Sequence, residues 1–510
     1  MNFFLAAVVV LFALTAFSLG RRAKRGRGFS RRSALPALGL TWVMIMASRW
    51  LVPDTLIHAV GLGSLPGVDE ILILDGMTWT LAAGVITLLL VHTLWERPGF
   101  EHRELFYASG AVGMLAASAA NLVSLLAFWV LLDVLWLSGA SLRPTWEGSP
   151  TDGLFMLIPA VGGPLILLVG AVLSIRSGYT AAFSGFSPAL SYLLVGAGLA
   201  RLGVFLPSRS PRRKNEQVSR NPWVARVPAS AAGLVLVIRA AEIRAGLPGG
   251  KGGGWTLLLV AGLGLALLLW RSRKTLFLSW TLGTYLLTVL AWRYGLPAPA
   301  LAWGGAFFLV GAVLSYPNHK KFYPRWGAGA AILGLCGLPF TPLGPARQIY
   351  LPEHGGWAAA GAAGFFIGSV IVYLLGLGDQ EQVSSKPEVS EVILGLGLVV
   401  GTQMFVAFPL HTPLTDWELG QEILWGGLPL GVAGGVYFLN VYVLGEFLPL
   451  ARPHPPGITA LREAAAWVIR ALFRAAGGPV RLFSDLLEGR GGLVWALLSA
   501  FLLISLLMGR

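Results

Sequence analysis

The chain is built from long apolar runs with almost no alternation, and this constrains its fold more than any other property. A barrel strand places a polar residue at every second position, whereas Leu257 to Trp270 and Trp495 to Met508 show no such pattern. Runs of this kind recur along all 510 residues, of which 55% are hydrophobic and 12% charged. With a mean hydropathy of +0.71, the chain belongs in lipid, where a helix satisfies its own backbone. Spans of roughly 17 to 25 residues match the hydrocarbon thickness and give about sixteen candidates. Two of these, near 105–120 and 121–139, are nearly continuous. The expected fold class is all-α: a polytopic membrane helical bundle of about 14 to 16 transmembrane helices with discontinuous helices.

The net charge of +14 does not point to nucleic acid, because the basic residues lie in connections at alternating span ends. Arg21, Arg22, Lys24, Arg25, Arg27, Arg31 and Arg32 follow the first apolar run and make that connection cytoplasmic. Counting onward puts Arg209 to Arg226, Arg271 to Lys274, Lys320 to Arg325 and Arg452 to Arg490 on the same side. The acidic connections Asp54 to Glu70 and Asp416 to Glu422 fall on the other. The expectation is a multi-pass protein of the cell inner membrane with both termini outside. The first twenty residues read as a retained helix, since no basic segment precedes their apolar stretch and the charge follows it.

Five segments are expected: N-terminal spans at 1–70, a core at 71–350, further spans at 351–450, a lateral amphipathic helix at 451–490 and a last span at 491–510. In the fourth, Leu461, Ala465, Val468, Leu472 and Ala476 share a stripe, with Arg462, Arg470, Arg474 and Arg481 elsewhere. Cys336 is the only cysteine, which excludes an internal disulfide and a cysteine set for an iron–sulfur cluster. His58, His92, His319, His354 and His454 are assigned to loops or termini without metal-ligand spacing, and His411 to a span end. No metal or cofactor is expected. Gly246 to Lys251 lacks the Ser or Thr and the preceding strand of a phosphate loop, so it reads as a turn.

Several short marks occur in a particular order. Ile71-Leu72-Ile73-Leu74-Asp75-Gly76 reads as a short strand opening a span, and Ala116 to Ala120 precedes Asn121-Leu122 and Phe128-Trp129. Ser191-Tyr192-Leu193-Leu194 begins a further span, Pro228-Ala229-Ser230-Ala231 another, and Gly337-Leu338-Pro339 follows later. This order resembles the antiporter-like membrane subunits of respiratory complex I (NADH:quinone oxidoreductase) and of Mrp-type cation/proton antiporters. The resemblance covers roughly residues 70–350 and the tail. It implies that Asn121 stands where relatives commonly carry Asp, Val130 where they carry Glu, and Arg201 where they carry a lysine. It likewise implies that Leu234 replaces a histidine, Ala240 a lysine, and Ala300 and Gly304 a histidine and lysine of a later helix. Arg347 stands where relatives often have Lys.

Proton movement requires groups that gain and lose protons, and arginine stays protonated. Asp133 lies three residues beyond Val130, so the two positions share much of one helical face and Asp133 can meet Arg201. Such a pair is either a charge couple with partial proton-handling ability or a fixed bridge between two helices; the fixed bridge is the plainer expectation. Either Arg239 and Glu242 line a polar half-channel, or Glu242 and Arg244 sit near the headgroups. The ion-translocation candidates are therefore Asp133, Arg201, Arg239 and Glu242.

By this resemblance, the chain is expected to be a divergent antiporter-like subunit of a complex I-related or Mrp-type assembly, contributing to proton or sodium-ion translocation without a catalytic or redox centre of its own. The implied partners are the lipid bilayer, other membrane subunits, and protons or sodium ions. The alternatives are a non-conducting scaffold subunit and a membrane partner in an inorganic-carbon uptake system.

Overall fold

The computed structural model describes residues 3–25, 31–51, 55–58, 70–95, 103–141, 150–202, 227–245, 253–269, 273–314, 341, 343–350, 358–365, 367, 394–395, 397–403 and 432. The lateral helix expected at 451–490, the span at 491–510, Cys336, the Gly337-Leu338-Pro339 turn, the Gly246–Lys251 turn, and His319, His354, His411 and His454 lie outside these residues. Helices α1 (Phe3–Arg25), α2 (Arg31–Leu51), α3 (Gly76–Trp95), α4 (Arg103–Ala117), α5 (Leu122–Ser141), α6 (Pro150–Arg176), α7 (Ser191–Leu202), α8 (Val227–Ile243), α9 (Gly253–Leu269), α10 (Arg273–Arg293) and α11 (Pro297–Leu314) follow in order, and residues 358–365 and 397–403 are also helical.

The bundle is arranged around α8, which packs against α4, α7, α10 and α11 and touches α3 and α5. Every residue from Ala231 to Ile238 other than Gly233 is buried and apolar, because this helix has neighbours on all sides. Helix α3 is also interior. It is long and apolar enough to cross a membrane, as is Phe3–Arg21 of α1. The peripheral helices instead turn large apolar side chains outward: Val9, Phe12 and Phe17 on α1, Leu40 and Val43 on α2, Val130 and Val134 on α5, Leu257 and Leu258 on α9. An exterior of that kind is adapted to hydrocarbon rather than to water. The chain is a multi-pass membrane protein with an all-α bundle fold.

The described residues also include a short two-stranded sheet. Strands β1 (Thr55–His58) and β2 (Glu70–Leu74) pair antiparallel, with Thr55 opposite Leu74 and an irregularity between Ile57 and His58. His58, assigned from sequence to a loop or terminus, is the last residue of β1. His92, assigned likewise, belongs to the last turn of α3, with its ring edge-on to Phe106 at 5.0 Å.

β2 also explains the break between α4 and α5. At Ser118–Asn121 the helix stops, and freed backbone groups inside a membrane must find partners. Ile73 N–H donates to the Ser118 carbonyl (2.7 Å) and Ala120 N–H to the Ile71 carbonyl (3.0 Å). Across the same break, Phe183 N–H donates to the Ala120 carbonyl and Leu122 N–H to the Ala181 carbonyl, each at 3.0 Å. Asn121 then caps α5, its Oδ1 accepting from Ser124 N–H at 2.7 Å, while its Nδ2 donates to the Glu70 carbonyl. This backbone clamp fixes the start of α3 and of α5 at one end of the bundle, hereafter the strand-bearing end.

Candidate functional site

Among the described residues, two clusters of paired charge lie inside the helical body, and α8 runs past both. The first joins α5 to α7. On α5, Trp129 and Asp133 are one turn apart and face the same way. Arg201, near the end of α7, is fully buried at 0% exposure and donates from Nη1 to Asp133 Oδ2 at 2.6 Å. Its Nη2 donates to the Trp129 carbonyl at 3.4 Å, and its guanidinium lies 5.0 Å from the centre of the Trp129 ring. Trp129 is itself buried, so one turn of α5 holds the cation through a carboxylate, a carbonyl and a π face.

Val130 does not share this environment. It is 51% exposed, whereas the Asp133 side chain is 17% exposed. Three residues along a helix leave an offset of about 60°, enough here to carry position 130 past the edge of the packed face. The inward stripe is Leu125, Trp129, Leu132 and Asp133, and the expectation that 130 and 133 share a face is corrected accordingly.

The second cluster lies at the strand-bearing end, and its decisive member is a residue that sequence reasoning treated only as a landmark. Asp75 caps α3: its Oδ1 accepts from Thr78 N–H at 2.8 Å, and its Oδ2 accepts from Arg239 Nη1 at 2.6 Å. The same Nη1 donates to Glu242 Oε2 at 2.8 Å. Arg239 is buried at 4% exposure, with the ring of Phe183 6.0 Å below its guanidinium, while Glu242 is about one-third exposed. Arg239 is thus an interior residue, and Glu242 sits at the rim. Burial raises the Asp75 carboxyl, but the charge and hydrogen bond of Arg239 and the donors of Thr78 outweigh it, so the group is held below the ordinary carboxylate value. The sequence signal for Asp75 was the topology count, which puts the start of α3 and the end of α8 on one side of the membrane.

Between the clusters α7 and α8 approach closely through glycine. A β-carbon at Gly198 would lie 2.8 Å from the Gly233 carbonyl oxygen, and one at Gly233 would lie 3.2 Å from Arg201 Cβ. Tyr285 of α10 donates its hydroxyl to the Ser230 carbonyl beside this crossing. Arg239 is six residues beyond Gly233, about 9 Å along the axis. The intervening Leu234, Val237 and Ile238 are fully buried and apolar. So are Leu234, Ala240 and Ala300, three of the positions the resemblance assigns to lost relay residues. At Gly304, another of them, a β-carbon would meet Ile238 Cδ1 at 2.7 Å. The side chain of Arg347 lies outside the described residues.

A polytopic helical bundle with arginine–carboxylate pairs enclosed beside one central helix defines the class by its fold: an integral membrane protein with the antiporter-like fold. The particular likenesses are to chains of three membrane complexes. The chain aligns over 98% of its length with one from the Mrp complex of Dietzia sp. DQ12-45-1b, at 17% identity and a TM-score of 0.57, and spans 63% of that longer chain. It aligns over 97% with a chain of the membrane-bound sulfane sulfur reductase, an archaeal respiratory membrane complex, at 12% identity and a TM-score of 0.56, covering 99% of that chain. With a chain of respiratory complex I from Thermus thermophilus the alignment covers 85% of this chain and 100% of the other, at 16% identity and a TM-score of 0.52. No protein-family model and no curated protein sequence matches the chain.

Proposed function

We propose that the chain is a divergent antiporter-like membrane subunit of a hetero-oligomeric assembly, complex I-related or Mrp-type, and contributes to proton or sodium-ion translocation. It sits in the cell inner membrane with both termini outside, and residues 71–350 form its antiporter-like core. The observation that carries this reading is the enclosure of ion-paired carboxylates within a lipid-facing bundle, since charge is expensive there and is retained where ions move.

The working groups are the carboxylates. An arginine keeps its proton, so Arg201 and Arg239 act as fixed positive charges that a carboxylate joins or leaves. Asp75 and Glu242 share a single guanidinium, so that the three-residue cluster holds two carboxylates against one cation. A cation or proton arriving there is attracted to that excess, and Glu242, the more exposed partner, is the group that accepts it. Asp133 balances Arg201 at the second level and marks the other end of the path.

A second reading has its own observation. Leu234, Ala240, Ala300 and Gly304 make the segment between the clusters apolar and close-packed, which supports a non-conducting scaffold. Reconstitution of the intact assembly in vesicles, with a pH-sensitive dye inside and a proton or sodium gradient imposed, separates the two. Flux that falls at least tenfold in Glu242→Gln, with partner subunits still present, supports conduction. An intact assembly in which this chain's variants never change flux supports the scaffold.

A further inference from the structure

Apart from the two charge clusters, a set of uncharged polar groups meets near the middle of α2 and α3, where the helical residues 397–403 pack against them. Trp42 Nε1 donates to Thr87 Oγ1 at 3.1 Å and to Thr402 Oγ1 at 3.2 Å, and the two hydroxyl oxygens are 3.0 Å apart. Both threonines are fully buried. Thr87 lies twelve residues beyond Asp75, about 18 Å along α3, so the set is distinct from the strand-bearing cluster. Other threonines of this bundle turn the hydroxyl back to the carbonyl four residues earlier, as Thr15, Thr41, Thr93 and Thr288 do. Thr87 and Thr402 face each other instead.

The balance of protons and lone pairs decides what such a set can hold. Each hydroxyl has one proton; one of the two bridges the oxygens, and the indole proton is shared between them. The second hydroxyl proton then has no acceptor within the triangle. Val399, Thr402 and Gln403 form the buried face of 397–403, whereas Gly397 and Gly401 are exposed, so the Gln403 amide enters the bundle beside Thr402. Gln403 is 2% exposed, and its Nε2 meets no acceptor among the described residues. Two adjacent residues therefore carry buried donors in surplus. A metal cation does not fit, because the indole N–H is aimed at the same hydroxyl lone pairs it would use. A bare anion would need a compensating charge; α3 and 397–403 contain no Lys or Arg, and Arg49 of α2 is seven residues beyond Trp42, about 10 Å along the axis. Water is neutral, accepts two hydrogen bonds and returns protons to hydroxyl oxygens.

We propose that Thr87, Thr402 and Gln403 hold a buried water molecule midway through the bundle, accepting from the second hydroxyl and from Gln403 Nε2. With Trp42 it forms a hydrated pin that ties 397–403 to α2 and α3.

Hydroxyl-radical footprinting of the full-length protein in lipid nanodiscs tests the site, with radicals made from water by a short X-ray pulse and oxidation read residue by residue by mass spectrometry. A tryptophan beside a bound water is oxidised. Trp280, fully buried with its Nε1 donating to the Phe307 carbonyl at 3.2 Å, is the internal reference. Trp42 is expected to be oxidised well above Trp280 in the parent and to fall to the level of Trp280 when Thr402→Val and Gln403→Met are combined. Each substitution alone should lower it part of the way, which keeps the test available if the double variant does not fold, and Thr402→Ser should retain the labelling. Trp42 oxidised no more than Trp280 in the parent, or equally in the parent and the variants, overturns the site. A melting temperature that rises with sodium or with chloride in the parent but not in Thr402→Val overturns the assignment to water and gives the site to that ion.

Discussion

Asp133→Asn is the most informative single perturbation. The substitution keeps the size of the side chain and removes only its charge, leaving Arg201 with a 3.4 Å hydrogen bond to the Trp129 carbonyl and the ring face at 5.0 Å. Arg201 has no exposure to water, so its charge has nowhere to be solvated. Breaking one side of a buried pair costs about 3 to 5 kcal/mol, and the partial exposure of Asp133 places the value near the lower end, about 3 kcal/mol. Removing both charges, in Asp133→Leu with Arg201→Met, eliminates the stranded cation and should return stability to within about 1 kcal/mol of the parent or above it. The expected coupling in a double-mutant cycle is therefore at least about 2 kcal/mol. Chemical denaturation in detergent, followed by tryptophan fluorescence, reads Asp133→Asn and the four proteins of the cycle: the parent, Asp133→Leu, Arg201→Met and the double variant. A single variant costing under about 1 kcal/mol, or a double variant as unstable as the sum of the singles, refutes the buried-pair argument.

Acid should loosen the strand-bearing end in a defined direction. Because the Asp75 pKa is depressed on folding, its contribution is fully present above the unfolded value of about 3.9 and is lost as pH falls through the folded value; Asp75→Asn should flatten that acid limb of a stability–pH curve. Gly198→Ala drives a methyl into the Gly233 carbonyl and should cost roughly 1 to 3 kcal/mol, whereas Gly196→Ala, with open space around its β-carbon, should be nearly silent in the same melts. Gly304→Lys, which reinstates the residue type the resemblance implies, should fail to accumulate as folded protein in membranes, because Ile238 already occupies its path; normal expression would show that the interior can open. Tyr285→Phe removes the hydroxyl bond to the Ser230 carbonyl and should lower stability by about 1 kcal/mol.

The sequence by itself determined the membrane bundle, because run length and the absence of alternation leave few structures that satisfy a backbone in lipid. It also located α3, α5, α7 and α8 to within a residue or two, since Asp75-Gly76, Asn121-Leu122, Ser191 and Pro228 are start signals that act locally. Asp133 and Arg201 could be matched because a charge inside an apolar run stands out and needs a partner. Only the tertiary structure decided which way each side chain points and what meets it across the bundle. Val130 and Asp133 differ by a fraction of a helical turn, yet one faces outward and the other an arginine. Asp75 became the partner of Arg239 only when the backbone clamp of β2 set the start of α3 against the end of α8. Contacts between residues 164 positions apart depend on packing angles and close approach at glycines. Those are properties of helix pairs, and no single helix's sequence contains them.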